Sequence, residues 1–146
     1  MITNRVRLII LKNDKVLLSY VDENHFHYYI GGKIEENETI EQAATREIKE
    51  ECNATFTFRK IVYIREYIDQ PSNTHSIEFY LLGDINKDKE LEHYVDPESK
   101  GIQWQTWIPI KDLQNIDVRP KNLTKILIED IKNDFKDGIK FLGNIS

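Results

Sequence analysis

Three glutamates, Glu47, Glu50 and Glu51, fall within a stretch of five residues, and offsets of three and four put all of them on one face of an α-helix. Like charges so placed destabilise a helix by about 0.2–0.5 kcal/mol per pair. A bound cation would remove that cost. Hard divalent ions such as Mg²⁺ take oxygen ligands and share their shell among carboxylates, water and substrate phosphates. Taken alone, the cluster reads more readily as a solvated acidic face, because charge runs on helices are usually surface decoration.

The residues around the cluster change that weighing. Gly32, Glu38 and the run Arg46-Glu47-Ile48-Lys49-Glu50-Glu51 follow the spacing G-x5-E-x7-R-E-U-x-E-E. This closely resembles the Nudix box, G-x5-E-x7-R-E-U-x-E-E-x-G-U with U aliphatic, and the match runs from Gly32 to Ala54 with every charged position filled. Asn53 replaces the penultimate glycine, Ala54 the final bulky aliphatic, and Ile30 the proline that often precedes the double glycine. Asn53 is the best non-glycine substitute at a left-handed helix end.

The resemblance implies an α+β fold, a Nudix-type α/β/α sandwich with a mixed β-sheet and a loop-helix-loop box. It implies that Glu47, Glu50 and Glu51 bind metal, Mg²⁺ or alternatively Mn²⁺, with the Gly32 carbonyl and Glu38 nearby. Arg46 would orient a carboxylate through charge-assisted hydrogen bonds. The metal would neutralise a pyrophosphate and activate a water for in-line attack on phosphorus. Family members draw the general base from the helix, where Glu47 is the first choice, or from a later loop. In that loop Glu98 is the leading candidate, with Glu90 and Glu92 behind it.

Those residues need elements to hold them. Val6, Leu8 and Ile10 alternate along one strand, and Lys15 to Val21 repeats the pattern after Lys12-Asn13-Asp14, so a hairpin is expected. His27 to Ile30 reads as a third strand that ends at Gly31-Gly32, where the chain can bend. Thr39 and Gln42 have capping-box spacing, and Ile40, Ala44 and Ile48 recur every four residues, which predicts a helix from Ile40 to Cys52 closed by Asn53. Phe56 to Ile68 and Ser76 to Ile85 are expected as long antiparallel strands, with 69–74 as their turn. The polar stretch from Asn86 to Gly101 is a candidate functional loop. Gln103 to Ile110 returns to strand, and Leu123, Leu127 and Ile131 mark a second helix that Gly138 could end.

The whole chain, 1–146, is expected to form a single domain, since 146 residues at 40% hydrophobic composition bury one ordinary core. There is no cleavable leader pattern, and the longest apolar run, Leu8 to Leu11, is far too short to cross a bilayer. The single cysteine, Cys52, has no internal partner. A soluble cytoplasmic protein is expected. Of a net charge of −5, the stretch Lys33 to Glu51 carries −4, from seven glutamates against three basic residues. That balance argues against general nucleic-acid binding.

The expected partner is therefore a small nucleotide, and homodimer formation stays open. Tyr28 and Tyr29 could place aromatic surface beside a nucleobase, while Arg5 could meet phosphate; for either tyrosine, sheet packing is the blander reading. The leading function is cleavage of the pyrophosphate linkage of a nucleoside diphosphate joined to another moiety, such as ADP-ribose, or of a (d)NTP including oxidised forms. An RNA 5′-end pyrophosphohydrolase and a non-catalytic nucleotide-sensing module are the alternatives.

Overall fold

The computed structural model describes all of residues 1–146 except Glu98. Strands β1 (Thr3–Lys12) and β2 (Lys15–Val21) form the expected hairpin. Asn13 and Asp14 both take positive φ, 52° and 59°, the pair of left-handed residues that matches a two-residue turn to strand twist. The remaining strands are β3 (Phe26–Tyr28), β4 (Ile30–Lys33), β5 (Phe56–Asp69), β6 (Thr74–Ile85), β7 (Tyr94–Val95), β8 (Gln103–Pro109), β9 (Val118–Arg119) and β10 (Lys140–Asn144). Helix α1 spans Ile40–Cys52 and α2 spans Thr124–Lys132.

The sheet runs β10-β5-β6-β1-β2-β3-β9, with β4 also on β1, β8 on β2, and β7 on β8. It is mixed: β1 with β6, β5 with β10, and β3 with β9 are parallel, and the other pairs are antiparallel. Period-two alternation divides the core into two layers. Leu8 and Ile10 of β1, Leu17 of β2 and Leu81 of β6 point to one face, where they pack with Ala43, Ala44, Ile48 and Cys52 of α1. Ile9, Val16, Leu18, Tyr80 and Leu82 point to the other, against Leu123, Leu127 and Phe135 in and around α2. The result is the expected α/β/α sandwich.

The structure departs from the sequence expectation in three places. The third strand is broken at Tyr29: β3 pairs with β2 and β9, whereas β4 pairs with β1. Gly31 and Gly32 are therefore paired strand residues, not a bend. Gly31 lies so close to β1 that a Cβ there would sit 1.9 Å from the Val6 carbonyl oxygen. Finally, α2 stops at Lys132, short of Gly138, because Asp134 and Phe135 take left-handed φ. The chain then returns as β10, a strand that sequence patterning missed. Among the described residues no helix is long and apolar enough to cross a membrane.

Candidate active site

Local sequence fixes the helix that carries the acids. Thr39 Oγ1 accepts from Gln42 N at 3.0 Å and Gln42 Oε1 accepts from Thr39 N at 2.9 Å, a complete capping box. At the other end Asn53 is left-handed, φ 48° and ψ 46°, and its N–H donates to the Lys49 carbonyl. The apolar stripe Ala44-Ile48-Cys52 seats the helix on the sheet. Glu47 and Glu51 flank that stripe and are buried, 8% and 9% exposed, while Glu50 stays at the solvent edge.

Arg46 is the organiser of this face. Its Nε and Nη2 grip both oxygens of Glu38 at 2.7 and 2.9 Å, Nη1 reaches Glu47 Oε1 at 2.9 Å and Glu50 Oε2 at 3.4 Å, and Nη2 also donates to the Lys33 carbonyl at 2.8 Å. Planar guanidinium geometry permits such a multiple clasp. Hydrogen bonds from Arg46, assisted by one from the Glu35 N–H, hold the Glu38 carboxyl down at about 2. The loop ahead of α1 is thus tied to the helix that it enters. Gly32 completes the contact from β4, since a Cβ there would lie 2.3 Å from Glu47 Oε1. Only glycine lets the strand backbone approach the carboxylate so closely.

Glu51 is in the opposite situation. Burial first, then the charges of Glu47 and Asp96, push its carboxyl up to about 8. Gln103 Nε2 donates to Oε1 at 3.1 Å, but Oε2 is buried with no hydrogen-bond partner. A buried carboxylate oxygen without a donor is costly unless something positive meets it. That orphan oxygen, the hard-oxygen donor set of Glu47, Glu50 and Glu51, and the adjacent Gly32 backbone suit a divalent cation of the Mg²⁺ type. As placed, no three acidic, imidazole or thiol groups among the described residues converge on one point. Glu47 and Glu50 are both turned onto Arg46 Nη1.

Beside this acidic face lies a cleft of about 460 Å³, within the size range of small-molecule sites. Arg5 and Arg7 of β1, Arg65 of β5 and Arg119 of β9 line it, together with Phe26, Tyr28 and Tyr67. Glu78, on β6, holds two of the cations, Arg7 Nε at 3.0 Å and Arg65 Nη1 at 2.5 Å. Arg119 is paired with Asp117 at 2.8 Å and stacks 4.6 Å above the Phe26 ring. The Arg5 guanidinium has no hydrogen-bond or ion-pair partner among the described residues. Burial and the charge of Arg7 pull its pKa down, so the spot favours an incoming anion.

Of the residues singled out from sequence, Arg46, Glu47, Glu50, Glu51, Glu38 and Gly32 belong to the acidic face and do not line the cleft, whereas Arg5 and Tyr28 line it and feel the charges of Glu47 and Glu51 respectively. Tyr28 is half-buried; burial, followed by the charge of Glu51, raises its hydroxyl to about 12. Tyr29 closes the floor: its ring is 1% exposed and sits edge-on to Tyr80, so it offers no free face for stacking. Glu98 lies outside the described residues. Glu90 and Glu92 are exposed, and Glu92 accepts a hydrogen bond from Thr106 Oγ1. Sequence reading missed Asp96 in the same loop, which is buried and close enough to Glu51 to raise its pKa. It also missed Gln103 and Gln105, alternate residues of β8 that donate to the Glu51 side chain and carbonyl. Their period-two spacing on a strand was the available clue.

Solved structures share this architecture. A NUDIX-family hydrolase from Clostridium perfringens superposes with a TM-score of 0.69 at 23% identity, over 90% of this chain and 97% of that one. A NUDIX hydrolase from Nitrosomonas europaea gives 0.71 at 22% identity, over 94% and 93%. An ADP-ribose pyrophosphatase from Streptococcus suis gives 0.68 at 17% identity, over 97% and 98%. No curated protein matches the chain at a significant level. The family model of the NUDIX domain matches residues 1–127, which takes in the box, both long strands and the start of α2. The chain belongs to the NUDIX family and is a Nudix hydrolase, an enzyme that acts on phosphoanhydride bonds.

Proposed function

We propose that the protein hydrolyses the pyrophosphate linkage of a nucleoside diphosphate joined to another moiety, with ADP-ribose-like nucleotide sugars and (d)NTPs as the substrate classes. One observation carries this reading: an acidic helix face with an orphaned carboxylate oxygen adjoins an arginine-lined cleft in which Arg5 makes no hydrogen bond or ion pair among the described residues. A polyphosphate carrying a divalent cation would give each its complement, the phosphates meeting Arg5 and the cation meeting the carboxylates. The name of the Streptococcus suis neighbour, an ADP-ribose pyrophosphatase, fits the same class.

Glu47, Glu50 and Glu51 would hold the metal, with Glu38 kept ionised by Arg46. When bound, the ion supplies charge neutralisation and a more acidic water. The chain's own residues do the rest. Arg5 orients the substrate phosphates, Tyr28 forms the wall between the cleft and Glu51, and the cleft's aromatic rings carry the nucleoside. Proton removal from the attacking water falls to a carboxylate beside Glu51. Asp96 joins Glu98 and Glu47 as a candidate because of its burial there.

The test is release of inorganic phosphate and pyrophosphate from a panel containing ADP-ribose, UDP-sugars, dNTPs and 8-oxo-dGTP, with and without Mg²⁺. Metal-dependent release from at least one member is expected. No turnover of any, in millimolar Mg²⁺ or Mn²⁺, refutes the reading.

A further inference from the structure

The cleft has a wall that neither the box nor the family match contains. Beyond residue 127 the chain passes α2 and returns as β10, which pairs in parallel with Tyr63 to Glu66 of β5. The strand is anchored at its start by Lys140 Nζ on Asp130 Oδ1 at 2.6 Å, and at its end by Asn144 Oδ1, which accepts from Ile68 N. Past it, the Ile145 carbonyl accepts from Arg65 Nε at 2.8 Å, and the Ser146 main-chain oxygen accepts from Asn122 N at 3.0 Å. Ser146 itself lines the cleft, as do Arg65 and the Arg119-Pro120 segment just ahead of Asn122. Residues 145 and 146 therefore bridge the β5 side of the cleft to the segment that leads into α2.

We propose that Ile145 and Ser146 form a substrate-positioning wall, which fixes the Arg65 guanidinium and so sets the affinity of the cleft for the nucleotide substrate. Arg65 is only 7% exposed and has three restraints: the Ile145 carbonyl, Glu78, and the Tyr67 ring 4.8 Å away. The Glu78 and Ile145 bonds bind opposite parts of one rigid planar group, so loss of the Ile145 bond frees the guanidinium to swing about its Glu78 contact. Glu78 also orients Arg7, which carries the disturbance to the neighbour of Arg5. The wall acts on binding, and among the described residues its hydrogen bonds go to Arg65 and Asn122 rather than to the acidic face of α1. This inference rests on the nucleotide reading given above.

Gly143 gives a lever outside the wall itself. It takes φ +67° at the register shift between Phe141 and Gly143, and a Cβ there would meet no neighbour. Valine disfavours that backbone conformation, whereas asparagine adopts it readily. Gly143→Val should displace residues 145 and 146 with no direct clash, and Gly143→Asn should restore them. Binding of α,β-methylene-ADP in Mg²⁺ would be followed by calorimetry, and turnover of the best panel substrate would be split into KM and kcat. For Gly143→Val, Kd and KM should rise at least about fivefold with kcat within about twofold. Gly143→Asn should recover most of the affinity. Arg65→Lys should reproduce the loss and add little to it in the double variant, since both act through one interaction.

Unchanged Kd in Gly143→Val, or full additivity with Arg65→Lys, overturns the wall while leaving the nucleotide reading intact. Failure of the wild type to bind the analogue or to turn over any nucleotide overturns the nucleotide reading, and the wall with it.

Discussion

At the scale of single residues, Glu51 and Arg46 show how one helix face holds opposite solutions to the burial of charge. Glu38 has its counter-ion built in, whereas Glu51 has a buried oxygen that nothing in the described chain satisfies. Glu51→Gln keeps the shape and removes the ligand charge, so turnover should fall by at least about a hundredfold with circular dichroism unchanged. Wild-type turnover in that variant would remove Glu51 from the metal site. The base can be separated from the ligands in the same way. Asp96→Asn and Glu98→Gln are compared under saturating metal: the residue that takes the proton should lower kcat while leaving the metal dependence of the rate almost unchanged. A normal rate across the pH profile in both would return the role to Glu47.

At the scale of elements, what could be read from sequence was what is local. The capping box, the four-residue apolar repeat and the left-handed asparagine all lie within 39–53, so α1 and its acids followed from the sequence without knowledge of the rest. The split at Tyr29 did not, because it depends on which distant strand each half meets: β3 meets β9, and β4 meets β1. The strand β10 was invisible for a similar reason. It is five residues long and gains its place from parallel pairing with β5, where Lys140 meets Tyr63, 77 residues earlier in the chain. Asp96 escaped because spacing ranks acids in a loop but cannot tell which one folds inward. The local devices are also individually testable. Thr39→Ala removes one half of the capping box, and should cost about 1 kcal/mol, which for a domain of this size lowers the melting temperature by about 2–4 °C. Thermal unfolding at neutral pH checks this, and an unshifted midpoint would mean that packing on the sheet alone holds the start of α1.

For the whole molecule, the Arg7–Glu78–Arg65 pairings tie three strands, β1, β5 and β6, into one electrostatic unit at the base of the cleft. Burial by itself would raise the Glu78 carboxyl, but the two arginines outweigh it and its pKa lies below the ordinary 4.5. A depressed folded-state pKa means stability that is fully present above the unfolded value and lost as pH falls through the folded one. The wild type should therefore lose melting temperature as pH is lowered from 5, and Glu78→Gln should show a shallower acid limb. At pH 7 the variant should be less stable by about 3 kcal/mol, because it leaves two partly buried cations without their carboxylate. Parallel pH curves for the two proteins would show that the unit contributes nothing net to folding.

The parallel pairing of β1 with β6 has a consequence for the making of the protein. Thr3 to Ile10 lie alongside Ser76 to Gly83, so β1 leaves the ribosome well before β6 and waits for it. At synthesis rates of about 5–20 residues per second, that wait lasts several seconds. During it, β1 presents an open edge along an apolar strand, with only its hairpin partner β2 and then β4 on the other side. The waiting strand begins Thr3-Asn4-Arg5-Val6-Arg7, and charged side chains on an open edge discourage pairing with a neighbouring nascent chain. Arg5 and Arg7 would thus serve the protein twice: as guards of an unfinished edge during synthesis, and as cations of the cleft once β6 has arrived.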